Sequence, residues 1–154
     1  MMSELTFVYD RTQADVDYVK KLRSIGWSNL TSAQKAEWLN GLKGCLNTAD
    51  LSRIEGNIFE ISQLFEIILQ TNKDSIPDNP DVTYFERILE NVSTLRATGF
   101  IYSETPAVPE QPVNTYEKVN DIERILHDIY TVYVENNVSQ IYCGEIYAGE
   151  YGLI

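Results

Sequence analysis

Apolar residues recur along this chain at alternating steps of three and four, the period of helices laid against one another. The clearest run, Leu51, Ile54, Ile58, Ile61, Phe65 and Ile68, follows a start signal at Asn47-Thr48-Ala49-Asp50 and predicts one helix over residues 47–70. Leu64, Ile67 and Leu69 widen its stripe, which places this helix at the centre of the core. Thr12-x-x-Asp15 reads as a variant capping box opening a helix to about Ile25, with Val16, Val19 and Leu22 on one face and Gly26 as its stop. Thr31-x-x-Gln34 opens a shorter helix to about Leu42 that carries Trp38 and Leu39, with Gly41 and Gly44 bracketing its end. After the break at Asp74-Ser75-Ile76-Pro77-Asp78-Asn79-Pro80, a helix is expected from Val82 to Ala97, with Phe85, Ile88, Leu89, Val92 and Leu95 inward and Gly99 at its end. Asn114-x-x-Glu117 reads as a further capping box, starting a helix to about Asn136 with Val119, Ile122, Leu126, Ile129 and Tyr133 on its seam.

Two segments break the helical pattern. Leu5-Thr6-Phe7-Val8-Tyr9 is β-prone and ends at Asp10, and residues 139–154 mix glycines with Ile and Tyr, which suggests short strands or an extended arm. The three prolines between Thr105 and Pro112 predict an exposed, extended connector. The expected fold is therefore mainly α: a bundle of about five helices with short β-strands or extended arms at the N- and C-termini. The units are residues 1–99 (strand plus bundle), 100–113 (connector) and 114–154 (long helix plus Tyr/Gly-rich arm), packed as one domain. Leu51-Ser52-Arg53-Ile54-Glu55 and Val119-Asn120-Asp121-Ile122-Glu123 echo each other just after an Asn-Thr pair, as a duplicated helix or two chance-matched amphipathic ones would.

Composition narrows the function. A chain of 154 residues with 44% hydrophobic and 23% charged residues can bury a core. No apolar run reaches membrane-span length, and the first residues have neither a basic region nor an apolar stretch of signal-peptide length, so the protein is expected to stay where it is made. The net charge of −11 argues against nucleic acid and anionic membrane as partners. Residues 78–154 hold thirteen acidic and four basic side chains, a surplus that either favours a basic partner or simply maintains solubility.

Candidate chemistry is sparse. Cys45 and Cys143 match no zinc spacing, and His127, beside core position Leu126, reads as a flank residue of its helix. Pairs such as Glu145 and Glu150 are not distinguished from solvated charge by their spacing. No phosphate loop, nucleophile elbow or calcium loop occurs, so neither catalytic residues nor a cofactor or metal are expected. Trp27 and Trp38 read as packing residues. Five of the ten tyrosines fall between Tyr130 and Tyr151, and Tyr is enriched at protein interfaces. Tyr142, Ile146, Tyr147, Tyr151 and Leu153 are accordingly the candidate interface, with a simple hairpin core as the other reading.

Several short motifs also carry a resemblance. Asp10-Arg11-Thr12-Gln13-Ala14-Asp15-Val16, Gly26-Trp27, Leu30-Thr31, Lys35-Ala36-Glu37-Trp38-Leu39 and Gly41-Leu42-Lys43-Gly44 resemble a segment of tail-associated structural proteins from phages and prophages of Gram-positive gut bacteria. Leu46 to Ile58 is similar to a "D-L-N-R-I-E" helix start in such proteins, with Ser52 in place of Asn. Asn120 to Leu126 and Tyr142 to Glu150 resemble their closing segment, so the likeness covers roughly residues 10–60 and 114–150. It implies a virion protein of the tail, tail fibre or baseplate, made in the host cytoplasm, whose partners are other tail proteins or copies of itself. It transfers no catalytic residues. The alternative is a free helical adaptor or regulator of a basic protein, and a weaker third reading is a carbohydrate-binding protein or enzyme using Trp, Tyr and carboxylates.

Overall fold

The computed structural model describes residues 4–149, and the side chains of residues 4–137. The protein is mainly helical, with α1 (Gln13–Ile25), α2 (Ser32–Asn40), α3 (Thr48–Leu64), α4 (Val82–Arg96) and α5 (Tyr116–Gly149), and no strand among the described residues. The first three starts are reciprocal capping boxes, in which a side chain at the cap and one three residues later each satisfy a backbone N–H: Thr12 with Asp15, Thr31 with Gln34, Asn47 with Asp50. Asp81 caps α4 by accepting from the Tyr84 N–H at 2.8 Å. The box expected at Asn114 and Glu117 does not form. The chain enters α5 one residue later, where the Thr115 hydroxyl accepts from the Lys118 N–H at 3.3 Å.

Helices α3, α4 and α5 pack mutually as a three-helix bundle. The buried set runs Leu51, Ile54, Ile58 and Ile61 on α3, Tyr84, Ile88, Leu89, Val92 and Leu95 on α4, and Val119, Ile122, Ile125, Leu126 and Ile129 on α5. Ile54, Ile88 and Ile122 recur at one interval along the chain, and Ile58, Val92 and Leu126, then Ile61, Leu95 and Ile129, repeat it. The echo between residues 51–55 and 119–123 is two copies of this three-copy spacing. Helices α1 and α2, joined by a 3₁₀ turn at Trp27–Asn29, form a satellite with its own small buried set of Val19, Leu22 and Leu30. Gly44 seats the satellite: a Cβ there would lie 2.2 Å from the Asp15 carbonyl oxygen, so only glycine permits the approach.

Four segments differ from the sequence reading. Helix α3 ends at Leu64 rather than running to Gln70. Glu66 takes φ +54°, the Glu66 N–H donates to the Gln63 carbonyl at 3.2 Å, and the Ile67 N–H reaches back to the Ser62 carbonyl at 2.9 Å. This is a Schellman closure, which usually announces itself with glycine and here does not. Phe65 and Ile67 turn onto the core, Phe65 meeting Phe100 edge-on at 4.9 Å, while Ile68 is left 97% exposed. Leu5–Tyr9 is extended but pairs with no strand. The Pro-rich connector is packed down: Thr105 is buried, Val108 and Val113 touch the core, and Arg96 donates to the carbonyls of Pro106 (2.9 Å) and Thr105 (3.2 Å). Finally, residues 139–149 continue α5 as helix instead of forming strands or an extended arm. Extending an existing helix needs no new nucleus, and Ile and Tyr cost only a few tenths of a kcal/mol there. Residues 150–154 of that expected arm lie outside the described residues.

Candidate interaction surfaces

The polar interior of the bundle is organised around carboxylates, each matched to basic groups. Glu123 on α5 is fully buried and accepts four hydrogen bonds: from Arg11 Nη1 at 2.9 Å, Arg53 Nε and Nη2 at 2.8 Å each, and the Val8 N–H at 3.1 Å. Asp50, the capping-box partner of Asn47 in the first turn of α3, takes Arg11 Nη2 at 3.2 Å and Arg53 Nη2 at 2.8 Å. Two guanidiniums and two carboxylates thus form a neutral tetrad, with the Arg11 side chain only 3% exposed. Burial opposes the charge of Arg53, but the bonds to Glu123 and Asp50 outweigh it and raise its pKa above the usual arginine value.

The tetrad also explains why residues 4–11 lie where they do. An extended segment cannot satisfy its own backbone, so helix side chains do it. Asn57 donates to the Thr6 carbonyl at 2.8 Å, and the Asn120 amide bonds both the N–H (3.2 Å) and the carbonyl (2.9 Å) of Arg11. Leu5 and Phe7 cover the core beside it. All four tetrad residues, Arg11, Asp50, Arg53 and Glu123, fall within the short motifs that carry the resemblance given above.

A second buried carboxylate, Glu55, is paired with Arg87 of α4 through both oxygens and accepts from the Asn72 N–H at 3.1 Å. Arg87 and Asn91 both donate to the Gln70 carbonyl, at 3.1 and 2.8 Å, so the loop after α3 is held from two sides. The neighbouring Tyr84 hydroxyl is buried without a hydrogen-bond partner, and burial together with the Glu55 charge raises its pKa far above the ordinary value. A third group surrounds Asp128, which is 1% exposed and accepts from Thr105 Oγ1 at 2.6 Å and Arg124 Nε at 2.9 Å. Burial pushes the Asp128 pKa up, but the bonds from Thr105, His127 and Arg124 prevail and hold it below the usual carboxylate value. His127 Nδ1 lies 2.9 Å from Asp128, and its ring packs against Phe7 and Tyr9. His127 is therefore a half-buried clasp on the N-terminal segment. Among the described residues, no cluster of three or more His, Cys, Asp or Glu side chains is arranged to hold a metal ion.

The surfaces divide into two. Helix α5 has 34 residues against 17 for α3 and 15 for α4. At about 1.5 Å per residue it is roughly twice as long as either neighbour. Among the residues whose side chains are described, the last contact of α5 with the core side is at Tyr133, and residues 134–137 are exposed. Tyr142, Ile146 and Tyr147 fall on the helical continuation, where the backbone alone is described; Tyr151 and Leu153 lie outside the described residues. On the satellite, Trp27 is 50% and Leu39 75% exposed, and Leu22, Arg23, Trp27, Leu30 and Trp38 line a hollow of about 170 Å³. The sequence expectation of core or groove packing for both tryptophans meets a groove, since both line this hollow. Trp38 is partly buried there, while Trp27 stays half exposed because a satellite of two helices has no third layer to cover it.

No helix among the described residues is long and apolar enough to cross a membrane. A scan of protein-family models, a search of curated proteins and a search of solved structures each gave no match.

Proposed function

We propose that this protein is a non-enzymatic structural component of a tailed bacteriophage or prophage virion, tail, tail-fibre or baseplate associated, and that it acts by protein–protein assembly. The observation that carries this reading is the length of α5, which outruns both bundle partners into a segment rich in Tyr and Ile. A helix continuing beyond its own core gains stability chiefly by packing on something else. The motifs that resemble tail proteins lend support, because those around Arg11, Asp50, Arg53 and Glu123 meet at one buried tetrad and so describe one scaffold. The partners are other tail proteins or further copies of the chain, and Tyr142, Ile146, Tyr147, Tyr151 and Leu153 form the contact. Mass spectrometry of purified, induced phage particles tests the assignment: the chain should be present at a fixed copy number. Its absence from particles, with one-to-one capture of a soluble basic protein, would favour the adaptor reading that the acidic residues 78–154 also suit.

A further inference from the structure

The loop after α3 and the satellite carry complementary features at opposite ends of α3. Ile68 is 97% exposed, yet the loop that bears it is fixed by the Schellman closure before it and by the Arg87 and Asn91 bonds to Gln70 after it. A rigidly held, fully exposed isoleucine is a knob whose burial costs little further ordering. The hollow between Trp27 and Trp38 opens on the satellite, which joins the bundle at the N-terminal end of α3. At about 170 Å³ it is of side-chain scale, below the few hundred Å³ of small-molecule sites.

The charges match as well. Lys43 is paired with Asp10 at 2.9 Å; residues 12–42 carry four bases (Lys20, Lys21, Arg23, Lys35) against three acids (Asp15, Asp17, Glu37), so the satellite is slightly positive within a chain of net charge −11. Arg23 lines the hollow and Lys35 Nζ stands 5.4 Å over the Trp27 ring. Exposed Glu66 sits two residues before Ile68, and the nearby Lys73 is paired with Asp74 at 3.1 Å.

We propose that Ile68 of one copy seats between Trp27 and Trp38 of a second copy, with Glu66 facing Arg23 and Lys35, joining chains head to tail. The two halves of this contact are different surfaces, so each copy keeps a free knob and a free hollow, and the association propagates. The contact uses no residue of the α5 extension, although its knob lies on the same end of the bundle, where Phe65 packs on Tyr133 at 5.2 Å.

Sedimentation velocity of the full chain over a concentration series, at low and high salt, tests it. The wild type should grow beyond a dimer with concentration, and less so at high salt. Ile68→Asp and Trp27→Ala should each raise the self-association constant for dissociation about thirtyfold or more, on the scale of interface hot spots, while leaving the melting temperature unchanged. Mixing those two variants should give one-to-one dimers and nothing larger, because one retains the knob and the other the hollow. Glu66→Lys should weaken association, and a partner carrying Arg23→Glu and Lys35→Glu should restore it. A wild type that stays monomeric at several hundred micromolar, or variants that associate normally, or a mixture without heterodimers, would overturn the proposal. Loss of association on Ile146→Asp with Ile68→Asp silent would likewise overturn it, and would assign assembly to the α5 extension alone.

Discussion

Replacing Glu123 by glutamine tests the buried tetrad with almost no change in shape. The carboxylate accepts four hydrogen bonds, from Arg11, Arg53 twice and the Val8 N–H. An amide keeps one acceptor oxygen and turns an NH₂ group towards guanidinium donors, so at least one donor loses its partner and another is opposed. The tetrad also goes from neutral to a net positive charge around Arg11, whose side chain is 3% exposed. Breaking a buried ion pair on one side costs about 3–5 kcal/mol. Arg53 is 19% exposed and can turn partly to water, which places Glu123→Gln near the lower end, at about 3 kcal/mol. For a chain of this size that is a fall of roughly 6–12 °C in melting temperature. Urea and thermal unfolding followed by circular dichroism would measure it, with hydrogen exchange at Val8 showing early release of the N-terminal segment. The double variant Arg11→Met, Glu123→Leu removes both charges together, leaves the Asp50–Arg53 pair at 2.8 Å, and should recover at least half of the loss. A Glu123→Gln loss under about 1 kcal/mol, or a double variant no better than the single one, would refute the reasoning by showing that water reaches the tetrad.

Three further outcomes follow from the geometry. Glu66→Gly relieves a left-handed residue costing about 1–2 kcal/mol, less the extra unfolded-state freedom of glycine, so a net gain of about 0.5–1 kcal/mol in urea unfolding is expected; a loss would contradict the closure at Phe65. Gly44→Ala should destabilise by about 1–3 kcal/mol, since its Cβ meets the Asp15 backbone at 2.2 Å; neutral behaviour would show the satellite free to shift. Asp128 has a depressed pKa when folded, so its contribution is complete above the unfolded value near 3.8 and disappears as pH falls through the folded one. Asp128→Asn should therefore show a shallower loss of melting temperature between pH 4 and pH 2 than the wild type, and an unchanged slope would remove Asp128 from the acid response.

Helix starts were legible because their signals act within one turn. Thr12, Thr31 and Asn47 each carry their partner three residues on, and the apolar stripe of α3 up to Ile61 needs only the helical period to be read. Stops were less so. The Schellman closure at Glu66 uses no glycine and is selected by where Phe65 and Ile67 find apolar contact, a matter of tertiary packing. The Pro-rich connector has the composition of an exposed linker, yet Arg96 and Asp128 bind its backbone and its Thr105 from two other helices. The interface residues chosen for their Tyr and Ile content were assigned to an arm, and three of them fall on the continuation of α5, since a helix already nucleated extends through weak formers. Least legible of all was the tetrad. In sequence Arg11 and Glu123 are ordinary charged residues with the usual expectation of exposure, and they lie on elements far apart in the chain. Sequence sets the period and the caps because these are local. Which charges are buried is decided only when the extended segment, α3 and α5 come together and each carboxylate gains enough donors to leave water.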